Sequence, residues 1–322
     1  MRKGRSMEHI TNHNIDQCAE TAVTLGNFDG LHQGHRKLIE TTMRIAEEGN
    51  LKSVVFSFYP HPMFVFSNRK HNALIMSPDE KRMSVEEMGV DLYIEYPFDN
   101  SFAALSPEEF AVDIIFKKLK CKALIVGENY KFGAHQKGDG ALLDRLGAEY
   151  GVKIIHVPSV MYEDERVSST RVREALINKD IELANRLLTV PYFIYGEVVK
   201  GKQLGRTIGF PTINIIADKD KLFPPNGVYA TKSCYNGKFY YGVTNIGINP
   251  TVNGDKKIVE TYLFDFKKVI YGEYIKTYVF DFIRAEQKFP GVDELQKQLE
   301  NDAKSAEKYF LTEKYEFWKN KY

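Results

Sequence analysis

Cysteine is scarce in this chain: Cys18, Cys121 and Cys234 are the three in 322 residues, each far from the others. An odd, dispersed set cannot build a disulfide framework. With no CxxC and no Cys/His pair at ligand spacing, a structural zinc site is not expected either. Isolated thiols suit a reducing compartment, so the expected location is cytoplasmic. Long apolar runs are missing as well. Ala123–Val126 and Ile154–Val157, among the most apolar stretches, have strand length, far short of the ~20 residues that span a bilayer. The opening Met1–Ser6 is charged with no apolar stretch after it, which is not a signal-peptide pattern, and Met7 is an alternative start. No membrane partner is expected. Charge of one sign is also lacking: 44 Lys and Arg against 43 Asp and Glu leave a net +1. That balance creates no field to gather nucleic acid, and no basic stretch is interleaved with aromatics, so no nucleic-acid partner is expected. Walker loops, dinucleotide fingerprints, internal repeats and low-complexity tracts are absent.

The composition that remains is ordinary for a globular protein, with 43% hydrophobic and 27% charged residues. The length favours about two domains. In the first half short apolar runs alternate with helical patterns. Strands are expected at 21–25, 53–58, 91–95, 123–126 and 153–157, and helices at 34–48, 77–88 and 106–119. The last two helices open on Ser-Pro-acid-Glu, which places an N-cap, a proline at the first helical position and early acidic residues together. Such alternation implies a parallel sheet covered by helices, with ligands beyond the carboxyl ends of its strands. Short helices are expected at 169–177 and 180–188. From about Thr189 the grammar changes to strands at 192–199, 228–234, 238–243, 258–266 and 274–282, with Asn236-Gly237 as a hairpin signal. These suggest a small antiparallel barrel, followed by a helical tail from about Gly291. The expected domains are therefore 1–188 and 189–322.

Leu25–His35 (LGNFDGLHQGH) follows the first strand and opens a helix. Gly26, Gly30 and Gly34 let the backbone turn tightly and approach a phosphate, and a helix start adds unpaired N–H groups. Phe28 and Asp29 belong to the same run. His32 and His35 are three apart and can share a face, with Gly34 clearing space between them. Two imidazoles so placed can donate to phosphate oxygens as charge builds. Zinc through the pair is the weaker alternative, since no third ligand is evident. This run resembles the HxGH motif of the nucleotidylyltransferase superfamily. Val167–Arg173 (VSSTRVR) resembles its ISSTxIR signature, and its Ser169, Thr170 and Arg173 are suited to gripping a triphosphate. The resemblance implies a Rossmann-like domain, with Arg166 as a further ATP contact.

Two further segments narrow the likeness. Ser57–Pro62 and Gly127–Gly133 resemble loops of bacterial FAD synthetases. Phe58, His61, Pro62, Asn129, Tyr130 and Phe132 thereby become candidate contacts for a flat flavin ring. Core packing is the plain alternative for the three aromatics, and a rigid turn for His61.

The second site begins at Gly201. Its run, Gly201–Asn214 (GKQLGRTIGFPTIN), resembles the riboflavin kinase signature, with Ile213 in place of an alanine. Gly201 and Gly205 can wrap phosphates, Lys202 or Arg206 supplies charge, and Thr207 lies in the same loop. Thr212 and Asn214 are hard oxygen donors two apart on a strand, suited to Mg²⁺ and the ATP phosphates. Pro225–Ala230 and Gly242–Thr251 extend the likeness, with Asn249 where arginine is frequent. Val259–Phe266 resembles the strand that carries the family's catalytic glutamate, here Glu260, with Asp265 the competing carboxylate.

As a whole the chain resembles the bifunctional bacterial riboflavin kinase/FAD synthetases. The resemblance implies two ATP-dependent reactions: riboflavin to FMN in the C-terminal barrel, and FMN to FAD with release of pyrophosphate in the N-terminal domain. Mg²⁺ is the implied cofactor, and ATP, riboflavin and FMN the implied ligands. A homo-oligomer stays open. So do two rival readings: one active domain beside a flavin-binding regulator, and an adenylyltransferase for pantetheine phosphate or nicotinamide mononucleotide.

Overall fold

Strand β2 (Thr21–Leu25) is buried along its whole length, as the central strand of a parallel sheet must be. It belongs to a computed structural model that describes residues 6–66, 73–201, 205, 208–251 and 254–319, side chains at 249–251 and 254–256 excepted. The contacts divide the chain into two units, one comprising Met1–Lys70 and Met76–Ser168, the other His71–Ile75 and Ser169–Tyr322.

In the first unit six parallel strands are ordered β1-β4-β3-β2-β5-β6. They are β1 (Glu8–Ile10), β2, β3 (Lys52–Tyr59), β4 (Leu92–Pro97), β5 (Cys121–Gly127) and β6 (Lys153–Val157). The chain proceeds from β2 through β3 to β4 on one side, then restarts with β5 on the other. That reversal opens a crevice beyond the carboxyl end of β2, where α/β sheets bind ligands. The two faces of β2 follow its side-chain alternation. Val23 and Leu25 join the larger core with Phe56, Phe110 and Leu124. Ala22 joins a smaller layer with Ala46, Ala123 and Ile125, under helix α1 (Gln33–Glu48). Small residues on that face let α1 lie close, so its first turn meets the end of β2.

The Ser-Pro openings behave as their chemistry predicts. Ser77 caps α3 (Pro78–Glu87) in a reciprocal box with Glu80, after the short α2 (Pro62–Phe66). Ser106 and Glu109 form the same exchange past α4 (Asn100–Ala103), ahead of α5 (Glu109–Lys118), which winds at π rather than α pitch. Besides the short α2 and α4, the sequence pattern does not contain edge strand β1, paired in parallel with β4, or helix α6 (Gly140–Tyr150) between β5 and β6. A short hairpin of β7 (Met161–Tyr162) and β8 (Glu165–Arg166) completes the unit.

The second unit is a closed antiparallel barrel in the order β10-β13-β12-β11-β14-β9. Its strands are β9 (Phe193–Val199), β10 (Thr212–Ile216), β11 (Gly227–Tyr235), β12 (Lys238–Thr251), β13 (Gly254–Leu263) and β14 (Tyr274–Arg284). Asn236 and Gly237 have φ of 49° and 75°, so the β11–β12 hairpin turns with both central residues left-handed. Helices α7 (Ser169–Ile177) and α8 (Ile181–Leu187) group with the barrel. Asn185 shows why: its side chain donates to the Val279 carbonyl at 2.9 Å and accepts from the Tyr192 amide at 2.7 Å. The tail forms two helices, α9 (Val292–Phe310) and α10 (Glu313–Lys319). Their Phe310 and Tyr315 pack with Tyr241 and Phe280 of the barrel.

Candidate functional site

The loop after β2 has an unusual backbone: Phe28, Gly30 and Leu31 all take positive φ, at 51°, 86° and 42°. Two non-glycine residues there carry strain that the surroundings must hold. Burial does so. Phe28 and Leu31 are enclosed, and Asp29 accepts from the Met76 amide at 3.1 Å. The Phe28 ring folds back to 3.2 Å from where a Cβ on Gly26 would stand, a tight approach that glycine accommodates.

His32 is the N-cap of α1, its Nδ1 accepting from the His35 amide at 3.3 Å. In the neutral ring that bond assigns the proton to Nε2. The two imidazoles stack with centroids 3.7 Å apart and planes 16° from parallel. A Cβ on Gly34 would stand 3.2 Å from the His32 ring, which is the clearance the HxGH spacing provides. Burial, then His32, then Lys81 push the His35 pKa well below the ordinary imidazole value. Among the described residues, the buried His35 Nδ1 has no hydrogen-bond partner. A neutral ring with an unsatisfied nitrogen is poised to meet a phosphate oxygen. The Val167 carbonyl comes within 3.9 Å of the same Gly34 position, so the second motif starts beside the first. Ser169, Thr170 and Arg173 of that motif lie on α7, grouped with the barrel, and Arg173 Nε donates to the Ala73 carbonyl at 3.0 Å. Arg166 is exposed on β8. With Lys37 it adds to the hydrogen bonds from Ser159 that hold the Glu128 carboxyl below its usual range.

Beside Gly26 and Asn27 a hollow of about 210 Å³ is lined by Phe58, Pro62, Phe98, Phe102, Tyr130 and Phe132. Tyr130 and Phe132 stack at 5.8 Å with planes 10° apart. Four of the six residues expected at a flat ring therefore converge. The other two do not line the hollow. His61 Nδ1 accepts from the Met63 amide at 3.1 Å, within its own turn, and Asn129 is exposed on the turn after β5. Sequence reading missed Phe98 and Phe102, which follow β4 and carry no motif.

In the barrel a cavity of about 570 Å³ is lined by Gly205, Thr212, Asn245, Glu260 and Tyr262 from the strand side and by Phe289, Leu295 and Leu299 from the tail. Glu260 stands opposite Asn214 on β10 and Asn245 on β12. Thr212 stands opposite Tyr262, so Thr212, Asn214 and Glu260 share one face. Gly201 leaves room for Asn214: a Cβ would fall 2.2 Å from its carboxamide. Gly205 accepts from the Phe210 amide at 2.8 Å and closes the loop, which leads on through Gly209 at φ 85°. Lys202, Arg206 and Thr207 lie outside the described residues. Asp265 sits in an exposed turn past β13 with φ 55° and does not line the cavity. Asn245 and the Arg284–Asp302 pair, bidentate at 2.8 and 2.7 Å, were not singled out from sequence. Asn245 lies in the Gly242–Thr251 run of the kinase likeness and strand register brings it to Glu260, whereas no local pattern announces the strand-to-helix pair of Arg284 and Asp302.

Residues 14–171 match the family model described as FAD synthetase, and residues 188–310 the one described as riboflavin kinase. The chain is 38% identical to the bifunctional riboflavin kinase/FMN adenylyltransferase of Bacillus subtilis strain 168, covering 94% of this chain and 97% of that one. It is 39% identical to the protein of the same name from Escherichia coli K12, covering 92% and 96%. A solved structure from Streptococcus pneumoniae, titled a macrolide-efflux protein, superposes with a TM-score of 0.82 at 31% identity over 92% of this chain and 97% of that one. The shared fold is what that likeness carries. Among the described residues no helix is long and apolar enough to cross a membrane.

Proposed function

The chain belongs to the bifunctional riboflavin kinase/FMN adenylyltransferase family, and from that premise we propose how its residues divide the two reactions. It phosphorylates riboflavin to FMN and adenylylates FMN to FAD. The observation that supports the division is that each unit has its own cavity beside its own motif, an aromatic hollow beside Gly26 and Asn27 of the histidine loop and a larger one lined by Glu260. The functional boundary we assign remains 188/189.

In the first unit the hollow of Phe58, Pro62, Tyr130 and Phe132 takes the isoalloxazine ring, with His61 and Asn129 at its approach. The FMN phosphate then attacks the α-phosphorus of ATP, and the bond to pyrophosphate breaks. Gly26, Phe28, Asp29, Gly30 and Gly34 shape the loop that admits the triphosphate. His32, through Nε2–H, and His35 donate to the oxygens that gain charge. Ser169, Thr170, Arg173 and Arg166 are the groups we assign to the pyrophosphate. No covalent intermediate is needed, so positioning and charge stabilisation carry the rate.

In the barrel Glu260 accepts the proton of the ribityl 5′-hydroxyl as that oxygen attacks the γ-phosphorus. Gly201, Lys202, Gly205, Arg206, Thr207 and Thr212 are assigned to ATP. The donor set fits a divalent cation: Thr212 and Asn214 present hard oxygens on one face beside Glu260. Among the described residues no three His, Cys, Asp or Glu could hold a metal by themselves, which suits Mg²⁺ kept partly by phosphate oxygens and water. Bound there, Mg²⁺ would neutralise phosphate charge. The three free thiols and the need for ATP support a cytoplasmic location.

A chromatographic time course with riboflavin, ATP and Mg²⁺ tests the reading. FMN is expected first and FAD after it. FMN without FAD would silence the first site, FAD only from added FMN would silence the barrel, and neither product would overturn both.

A further inference from the structure

Under the loop that carries His32 and His35 lies a lysine that neither motif contains. Lys81, on α3, is 7% exposed. Its Nζ donates to Ser57 Oγ at 3.1 Å and lies 3.4 Å from Glu95 Oε1. Glu95 is held in turn by the Tyr93 hydroxyl at 2.9 Å and by His9 Nε2 at 3.0 Å. On the other side Ser57 Oγ donates to the Asn27 carbonyl at 3.2 Å. A chain of polar contacts thus runs from edge strand β1 through the sheet into the backbone of the nucleotide loop.

Enclosing an ammonium is costly, and apolar residues of similar volume are often at least as stable as a buried ion pair. A pair with no task beyond packing would be replaceable on that ground. Lys81 instead stands where three parts of the adenylylation site meet. It bonds Ser57, which holds Asn27; the Asp29 carboxylate raises its proton affinity; and its own charge lowers that of His35. Burial outweighs Glu95 and Asp29, so its pKa stays below that of an ordinary lysine.

We infer that Lys81 is a positioning residue for adenylyl transfer: anchored by Glu95, it fixes the Asn27–Asp29 backbone through Ser57 beneath the histidine pair, where the phosphates gather. The inference rests on reading His32 and His35 as the centre of that reaction. Lys81 touches neither substrate and acts through the loop.

The test uses the full chain, whose kinase reaction serves as an internal control for folding. Three variants are compared with the unsubstituted chain: Lys81→Met, the double variant Lys81→Met/Glu95→Leu, and Ser57→Ala. Initial rates are measured for FMN plus ATP to FAD and, on the same preparations, for riboflavin to FMN. The double variant removes both charges and leaves no orphan ion. It is expected to keep kinase activity within about twofold while kcat for FAD formation falls by about tenfold or more, with KM for FMN little changed. Ser57→Ala cuts only the link to Asn27 and is expected to lower the same kcat several-fold, again sparing the kinase.

A double variant with unaltered kcat would make the pair purely structural and overturn the inference. A Ser57→Ala variant at full rate, or loss of both activities in parallel across all three variants, would do the same. If the unsubstituted chain makes no FAD, the reading of the first site falls, and this inference with it.

Discussion

His35 gains its character from neighbours. Burial of the ring, the stacked His32 and the charge of Lys81 all disfavour its imidazolium. The folded pKa lies below the reference of 6.5, so the neutral ring's contribution to stability is present above pH ~6.5 and fades as pH falls toward the folded pKa. In an NMR titration His35 is expected to titrate below 6.5, and added pyrophosphate to raise its midpoint. A midpoint at or above 6.5 without ligand would contradict the structure. His35→Ala is expected to cut FAD formation by about 10²–10³-fold, the range for losing one transition-state donor, with FMN formation intact. Glu260→Gln should do the converse, lowering FMN formation by about 10²–10⁴-fold and leaving FAD formation from FMN unchanged. Product chromatography on each variant reads both. At this scale His32, His35 and Glu260 were nominated by the motifs they stand in. Phe98 and Phe102 were not, because a residue that enters a site from a neighbouring strand leaves no mark in its own sequence context.

Elements announce themselves where their signal is local. Ser77 and Glu80 were readable as a cap because both halves of the exchange lie within one turn. Ser77→Ala is expected to destabilise the first unit by about 1 kcal/mol, seen as a lower urea midpoint at unchanged slope. Gly201 is a local feature with a distant reason: its missing Cβ makes room for the Asn214 carboxamide. Gly201→Ala is expected to impair the kinase strongly while FAD formation persists, and a fully active kinase would show that Asn214 can move aside. Helix α6, absent from the sequence pattern, carries one glycine, Gly147, in its interior and ends at Gly151 in the left-handed region. Gly147 is there for packing, since a Cβ would come within 2.6 Å of Ile154 on β6. Strand β1 has three residues, too few to show a period, and it exists through its parallel pairing with β4.

At the scale of the molecule, the change of grammar near Thr189 and the division of contacts differ by two helices. Helices α7 and α8 precede the change yet group with the barrel, where Asn185 is 1% exposed and bonds both Val279 and Tyr192. A barrel fragment starting at residue 169 is therefore expected to melt at a higher temperature than one starting at 189, which leaves the Val279 carbonyl and the Tyr192 amide without that partner. Equal melting temperatures in a thermal scan would make α8 dispensable.

The sequence alone determined the alternation of strands and helices, the barrel grammar and the motifs, since each rests on periodicity or on residues close along the chain, and the pair of reactions followed from the family those motifs resemble. Tertiary structure alone decided how the histidines stack, which aromatics surround the hollow, which asparagines flank Glu260 and why Lys81 lies buried beneath the loop. Those depend on sheet order, strand register and burial, which arise only when segments distant in sequence exclude water from one another.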